Sequence, residues 1–390
     1  MYFMSRPLFP PDNSLQIALP TLNFSSFLAA IFSADLADTI KTSPRTTLLI
    51  PHNDAFTRLG LLVSAHLLSA SGTADLESVV LHHVIDDVVY ARDLQNSSAR
   101  TYPTLEGSDL HVEPTKAGTI TLTSSGGWPG LNSKLVPLDL LSKTGVVHEL
   151  SDIFIPRSVH LTVGKLAKAA KGTTMTNLII KAGMEWILNG TAPPVDSHWD
   201  GISGTGWTLL CPTDDAFKKV NLTQIYSDKA TMQLLVGQHL ISTPKSLDES
   251  GAPNNNRPLR FLDSDTYETL ISPESNYRDI VFREVEGGEI ALGIKNARGT
   301  GGKKDWAKVT GWGRATTGGG TGGVIQIDRL LIPYEPSTWV EYVVPIIVGI
   351  FGVLAIGLFF MGVRKIWRLD RTEATYEPVG GFSREDDDEF

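Results

Sequence analysis

Nine histidines, a single cysteine and two glycine-rich stretches are the parts of this 390-residue chain whose types and spacing could do chemistry. His82 and His83 are adjacent, so on a strand they point to opposite faces and on a helix they diverge around the axis. They cannot easily share a metal, and no His/Cys/Asp cluster at ligand spacing accompanies them, so no metal site is expected. His83 and His239 are read as buried hydrogen-bonding residues. Cys211 lies within an apolar run, Thr208-Leu209-Leu210-Cys211, and is read as a buried, inert thiol that cannot form an intrachain disulfide. Gly299-Thr300-Gly301-Gly302-Lys303-Lys304 lacks both the first glycine and the Ser or Thr of a phosphate loop. Gly318, Gly320 and Gly323 fit Gly-x-Gly-x-x-Gly but lead into a strand instead of opening a helix. No Gly-x-Ser-x-Gly or His-Glu-x-x-His appears, and neither catalytic residues nor a cofactor are expected.

Binding chemistry has one candidate. Trp306 and Trp312, with Lys303, Lys304, Lys308 and Arg314 around them, could form a face that holds a sugar or a partner by stacking and cation-π contact. The alternative is a hairpin whose tryptophans pack onto a sheet.

The elements that must carry these residues occur twice. Thr47-Leu48-Leu49-Ile50-Pro51-His52-Asn53-Asp54-Ala55-Phe56 and Thr208-Leu209-Leu210-Cys211-Pro212-Thr213-Asp214-Asp215-Ala216-Phe217 match in residue type at matching offsets. Each reads as a buried strand ended by its proline, Pro51 or Pro212, which withholds a backbone donor. A helix is expected to follow, with Asn53 and Asp214 accepting from amides one turn further on, and with Phe56 and Phe217 turned onto the core. A closing block also recurs: Gly145 to Pro156 and Gly322 to Pro333 each run from a glycine through an apolar strand to a proline. Between them lie Leu81-His82-His83-Val84-Ile85 and Gln238-His239-Leu240-Ile241.

In this order the blocks resemble the fasciclin domain, which carries an opening Thr-apolar-Pro-x-Asn/Asp-x-Ala-Phe block, a central Tyr-His pair and a closing strand ending in Leu-Pro. The resemblance extends from about Leu22 to Pro333. His82 and Gln238 stand where the family has tyrosine, while His83 and His239 keep its histidine. The residues that match the motif are Pro51, Asn53, Ala55, Phe56, His83 and Pro156, then Pro212, Asp214, Ala216, Phe217, His239 and Pro333. The resemblance implies an α+β chain: two tandem fasciclin-like domains, each a β-sheet wedge packed with helices, acting in adhesion or matrix interaction.

A hydrophobic content of 42% is enough for two cores, and a formal net charge of −9 with no basic stripe argues against nucleic acid as partner. From Tyr342 to Val363 no charged residue occurs, a run of roughly 33 Å as helix, which fits a hydrocarbon core of roughly 30 Å. Trp339, Tyr342 and Trp367 flank it as interfacial aromatics. Arg364, Lys365, Arg368 and Arg371 crowd its C-terminal side, which by the positive-inside rule makes the tail cytosolic and the modules lumenal or extracellular. Sequons at Asn23, Asn96, Asn189 and Asn221 agree with that side. Met1 to Pro7 shows no secretory leader, and the expectation is that chain precedes Met1, the alternative being a late-inserting tail anchor.

The expected organisation is an N-terminal segment 1–16, domain 1 over 17–157, domain 2 over 160–334, a transmembrane helix over 342–363 and a cytosolic tail over 364–390. The few residues between the modules predict a fixed or hinged pair. Ser250 to Pro258 and Arg298 to Gly323 read as surface loops. In the tail, Tyr376 and Val379 fit a Tyr-x-x-apolar pattern that cytosolic sorting adaptors bind. The functional expectation is a non-enzymatic, single-pass membrane protein that engages a protein or glycan ligand on the non-cytosolic side, at the cell surface. The alternative is a vacuolar or endosomal protein with a lumenal partner.

Overall fold

The computed structural model describes residues 12–95, 98–115, 118–128, 131–203, 206–242, 266–274, 277–285, 287–295, 306–317, 322–333, 339 and 343–370. The first sheet contains β1 (Thr46–Pro51), β2 (Val84–Ile85), β3 (Arg100–Pro103), β4 (Asp109–Pro114), β5 (Ile120–Ser124), β6 (Asn132–Leu141) and β7 (Gly145–Leu150). The second contains β8 (Trp207–Pro212), β9 (Leu240–Ser242), β10 (Thr266–Tyr267), β11 (Ile280–Val285), β12 (Glu289–Ile294), β13 (Ala307–Arg314) and β14 (Gly323–Ile327).

The two sheets have one topology. Read from the far edge, the first runs β3-β4-β5-β6-β7-β1-β2 and the second β10-β11-β12-β13-β14-β8-β9. In each the opening strand pairs in parallel with the closing strand, Thr47 opposite Val146 and Thr208 opposite Gly323, so the register is shared as well. These strands read as unbroken apolar runs because both of their faces are covered. Leu48 and Leu209 face one large core, whereas Leu49 and Leu210 face separate clusters on the other side of their sheets.

The first module's helices are α1 (Ser14–Ala18), α2 (Ser25–Ser33), α3 (Ala37–Thr42), α4 (Asn53–Leu59), α5 (Leu61–Leu67), α6 (Thr73–His82) and α7 (Ala91–Gln95). The second has α8 (Val163–Ala169), α9 (Thr173–Ala182), α10 (Glu185–Asn189), α11 (Leu222–Tyr226) and α12 (Lys229–Gln238). Helix α1 straddles the expected domain start at Ile17 and buries Leu15. The apolar spacing from Phe27 to Ile40 predicts one helix, but the chain breaks at Asp35, whose φ is +57°. The amide of Leu36 then returns to Ile31 O at 3.1 Å. Helix α9 ends the same way at Gly183, φ +75°, with Met184 N bonded to Ile179 O at 3.0 Å. This is a left-handed helix stop in which a sixth amide reaches back to the first carbonyl, and it occurs at the same place in both modules.

The modules are fused, not strung. One core cluster runs from Phe27, Ile31 and Leu48 through Leu178, Val236 and Val324. The chain up to Tyr334 forms a single compact unit, and the residues after it form a second. Part of the stretch expected as a glycine-rich surface loop is strand β13, with Ala307, Gly311 and Gly313 buried. A Cβ on Gly313 would lie 2.9 Å from Leu62 Cβ, and one on Gly311 3.2 Å from Leu61 Cδ2. The glycines are there because helix α5 of the first module lies directly on this strand; they are a packing feature that sequence composition presents as a loop.

Candidate functional site

The opening block does something different from what its spacing suggests. His52 precedes helix α4 as its cap, with Nδ1 accepting from Asp54 N at 3.3 Å. Asn53 reaches back instead: its Oδ1 accepts from Ser26 N at 2.9 Å, and its Nδ2 donates to Leu22 O at 2.9 Å. Asp214 does the equivalent, accepting from Thr174 N at 2.7 Å. Each therefore supplies an acceptor to the first turn of a distant helix, α2 or α9, whose own preceding residue gives no side-chain cap. The segment after Pro212 is a 3-10 helix, Asp214–Lys219. Ala55 and Phe217 are buried, while Phe56 and Ala216 are half-buried.

The two family histidines occupy one arrangement. His83 Nδ1 donates to Val79 O at 2.7 Å, and its Nε2 accepts from Phe154 N at 3.1 Å. His239 Nδ1 donates to Leu235 O at 2.8 Å, and its Nε2 accepts from Leu331 N at 3.0 Å. Each ring joins the last turn of a helix to the segment beyond the closing strand, and each is fully buried. The two partners fix the neutral tautomer with its proton on Nδ1. Burial pushes His83 down to about 3 and His239 down to about 4. Phe27 and Phe154 flank the His83 ring at 5.0 and 5.5 Å.

His82, in the family's tyrosine position, lies in a ring of hydroxyls: Ser124 Oγ at 2.9 Å from Nε2, and Ser108 Oγ and Thr104 Oγ1 at 3.0 and 3.2 Å from Nδ1. Glu106 Oε2 stands 3.6 Å from Nδ1. A serine, a histidine and a glutamate so close outline a hydrolytic triad that no motif in the chain signals. Ser124 Oγ, however, donates to Ile155 O at 3.0 Å and accepts from Gly126 N, so its proton is directed away from the imidazole. The ring is completely buried, which lowers it to about 4. Burial acts to raise Glu106, but hydroxyl and amide donors from Ser108 and Ser158 prevail and hold it below the usual carboxylate range. The group is a satisfied polar network in place of a tyrosine. Gln238, its counterpart, donates to Arg278 O at 2.7 Å. His148 donates from Nε2 to Val89 O at 2.9 Å. Cys211 is buried, and its thiol is pushed up to about 12 by burial with help from Asp214. No group of three or more His, Cys, Asp or Glu suited to a metal occurs among the described residues.

The tryptophans do not share a face. Trp306 lies over Gly293 with the Arg283 guanidinium 4.6 Å from its ring. Trp312 instead lies against Gly60, between α4 and α5 of the first module. Around it the module seam is tied by Trp128 Nε1 donating to Ala315 O at 3.0 Å and by Lys165 Nζ at 2.6 Å from Asp75 Oδ2, which also meets His66 Nε2 at 2.7 Å. Burial acts to raise Asp75, but these two donors outweigh it and leave the carboxyl below its ordinary value. Lys303 and Lys304 lie outside the described residues.

Residues 22–156 match the family model described as the fasciclin domain. The first module is a fasciclin domain. The second module repeats its strand order, parallel register and histidine arrangement, so the chain carries the fold twice in tandem. Among curated proteins, the chain is 23% identical to human periostin over 58% of its own length and 24% of that protein. It is 26% identical to the transforming growth factor-beta-induced protein ig-h3 of Sus scrofa over 53% of its length and 26% of that protein. It is also 22% identical to protein sll1483 of Synechocystis over 36% of its length and 72% of that protein. The chain thus spans about a quarter of the first two relatives. Among solved structures, the FAS1 domain pair of the insect cell adhesion molecule fasciclin I matches with a TM-score of 0.31 and 16% identity, covering 79% of this chain and 96% of that one.

On the fasciclin modules three sequon asparagines, Asn23, Asn189 and Asn221, are exposed; Asn96 lies outside the described residues. Asn221 also precedes α11, with its Oδ1 accepting from Gln224 N at 3.4 Å. In the second unit, helix Val344–Asp370 contains a span, Val344–Arg368, long and apolar enough to cross a membrane, and none of it is buried. Tyr342, Arg371, Tyr376 and Val379 lie outside the described residues.

Proposed function

We propose that this chain is a non-enzymatic, single-pass membrane protein that displays a fused pair of fasciclin modules on the lumenal or extracellular side, for adhesion or for binding a protein or glycan. The observation that carries the reading is the C-terminal helix: its apolar side chains are exposed along the span, and Arg364, Lys365 and Arg368 gather at its end. Exposed apolar surface of this extent has hydrocarbon as its natural solvent, and clustered cations favour the cytosolic face. The reading assigns the modules to 17–157 and 160–334, the span to 342–363 and the cytosolic tail to 364–390. Within the modules the motif residues serve the fold, since their polar atoms are taken up by backbone partners.

Asn23, Asn189 and Asn221 are the acceptors this side of the membrane would offer. The test is expression of the full chain in a eukaryotic secretory pathway, with and without N-glycosidase. The expected result is a glycosidase-sensitive mass that falls stepwise as the asparagines are changed to glutamine. A chain of unmodified mass throughout would contradict the proposal.

A further inference from the structure

The seam between the modules contains a cleft of about 370 Å³ including its open mouth. Its floor is apolar and buried, made by Leu59, Trp128 and Ile153. Its rim is not: Arg58, Trp312 and Arg314 line it and are each half-buried. The lining holds two guanidinium groups, and the carboxylate nearest to them, Asp152, pairs with Arg58 at 2.9 Å from outside the lining. From these features we infer that the inter-module cleft binds an acidic sugar: a hexuronate unit of a glycan, stacked on Trp312 with its carboxylate held by Arg314 and Arg58.

Each part of that ligand has a reason in the geometry. The Trp312 ring packs on the backbone at Gly60, where a Cβ would be only 2.9 Å from its atoms. A ring so held presents a flat π surface to the C–H face of a pyranose at little entropic cost. Arg58 is held in place, its Nε donating to Asp152 Oδ1 at 2.9 Å and its Nη2 to Ser151 O. That leaves Nη1 as the nitrogen of this guanidinium with no partner among the described residues. Guanidinium groups bind planar carboxylates in preference to neutral hydroxyls, and do so more strongly beside an apolar floor. The floor and Arg58 come from the first module and Trp312 and Arg314 from the second, so the cleft exists only in the fused pair.

This inference rests on the proposed display of the modules outside the cytosol, where acidic glycans are met. Its test is independent of topology. The purified full chain in detergent micelles is titrated calorimetrically with a galacturonic acid trimer and, separately, with a neutral galactose trimer. Saturable binding of the acidic trimer is expected, about tenfold or more tighter than the neutral one. Arg314→Gln is expected to weaken the acidic trimer by about tenfold and leave the neutral one unchanged, while Trp312→Phe weakens both. Far-UV circular dichroism confirms that each variant is folded, and should Trp312→Phe disturb the seam, Arg314→Gln alone decides. Absence of saturable binding, equal binding of the two trimers, or an Arg314→Gln protein that binds the acidic trimer as well as the parent would each overturn the assignment. Preference for a peptide C-terminal carboxylate over the acidic trimer would overturn it as well.

Discussion

Asp214 Oδ1 accepts the backbone amide of Thr174 at 2.7 Å, joining the residue behind the opening strand's proline to the first turn of a helix forty residues earlier in the chain. Asn53 stands in the same relation to Ser26. The most recognisable motif of the fold is therefore a cross-link between its strand and its first helix, and its value lies in long-range capping.

Removing the cap should cost what an N-cap costs. Asp214→Ala and Asn53→Ala are each expected to lower stability by about 1 to 2 kcal/mol, with Asp214→Asn nearly neutral. His52→Ala, which loses only a longer 3.3 Å bond at an exposed site, should cost less than either. Urea denaturation of the full chain in detergent, followed by tryptophan fluorescence, measures all four.

The seam predicts a contrast between two glycines of similar backbone. Gly60 and Gly107 have φ of +95° and +100°, so alanine is strained at both. Nothing lies within 4 Å of a Cβ at Gly107, whereas one at Gly60 meets the Trp312 ring at 2.9 Å. Gly60→Ala should therefore be the more destabilising by about 1 to 3 kcal/mol, the range for overpacking. Equal losses in thermal midpoint would mean that Trp312 yields freely.

Buried histidines set an acid limit. An unfolded histidine titrates near 6.5, whereas His83 and His239 are held at about 3 and about 4 when folded. Between those values the unfolded chain binds the additional protons, so the stability is fully present above pH 6.5 and is lost as pH falls toward 4. Each such residue contributes a slope of up to about 1.4 kcal/mol per pH unit. Denaturation midpoints at pH 7, 6 and 5 should fall steadily in the parent. His239→Gln should be less stable at pH 7 but show a shallower decline, and an unchanged slope would remove this histidine from the account.

Much of this was legible from residue order alone. The duplicated opening and closing blocks gave two modules of one α+β fold, because a strand buried on both faces leaves an unbroken apolar run. The uncharged stretch before Arg364 gave the C-terminal helix for the same kind of reason. What the sequence concealed depends on contacts between distant positions. The spacing around Asn53 is that of a local cap, and nothing in it points to Ser26. Gly311 and Gly313 look like loop residues until α5 is laid over them. Trp306 and Trp312 look like one face, yet Trp306 packs within its own sheet while Trp312 reaches across to the other module. The hydroxyl ring about His82 is drawn from two separate places, the turn from Thr104 to Ser108 and the end of β5 at Ser124, and has no signature in spacing.

Protease protection reports on which side of the membrane the modules lie. Full-length chain with a C-terminal tag, inserted into sealed microsomes, is digested with and without detergent. Without detergent the tag is expected to be lost while a fragment carrying both fasciclin modules survives, and detergent is expected to expose the modules to proteolysis. Digestion of the modules in intact vesicles with the tag preserved would contradict the proposed topology.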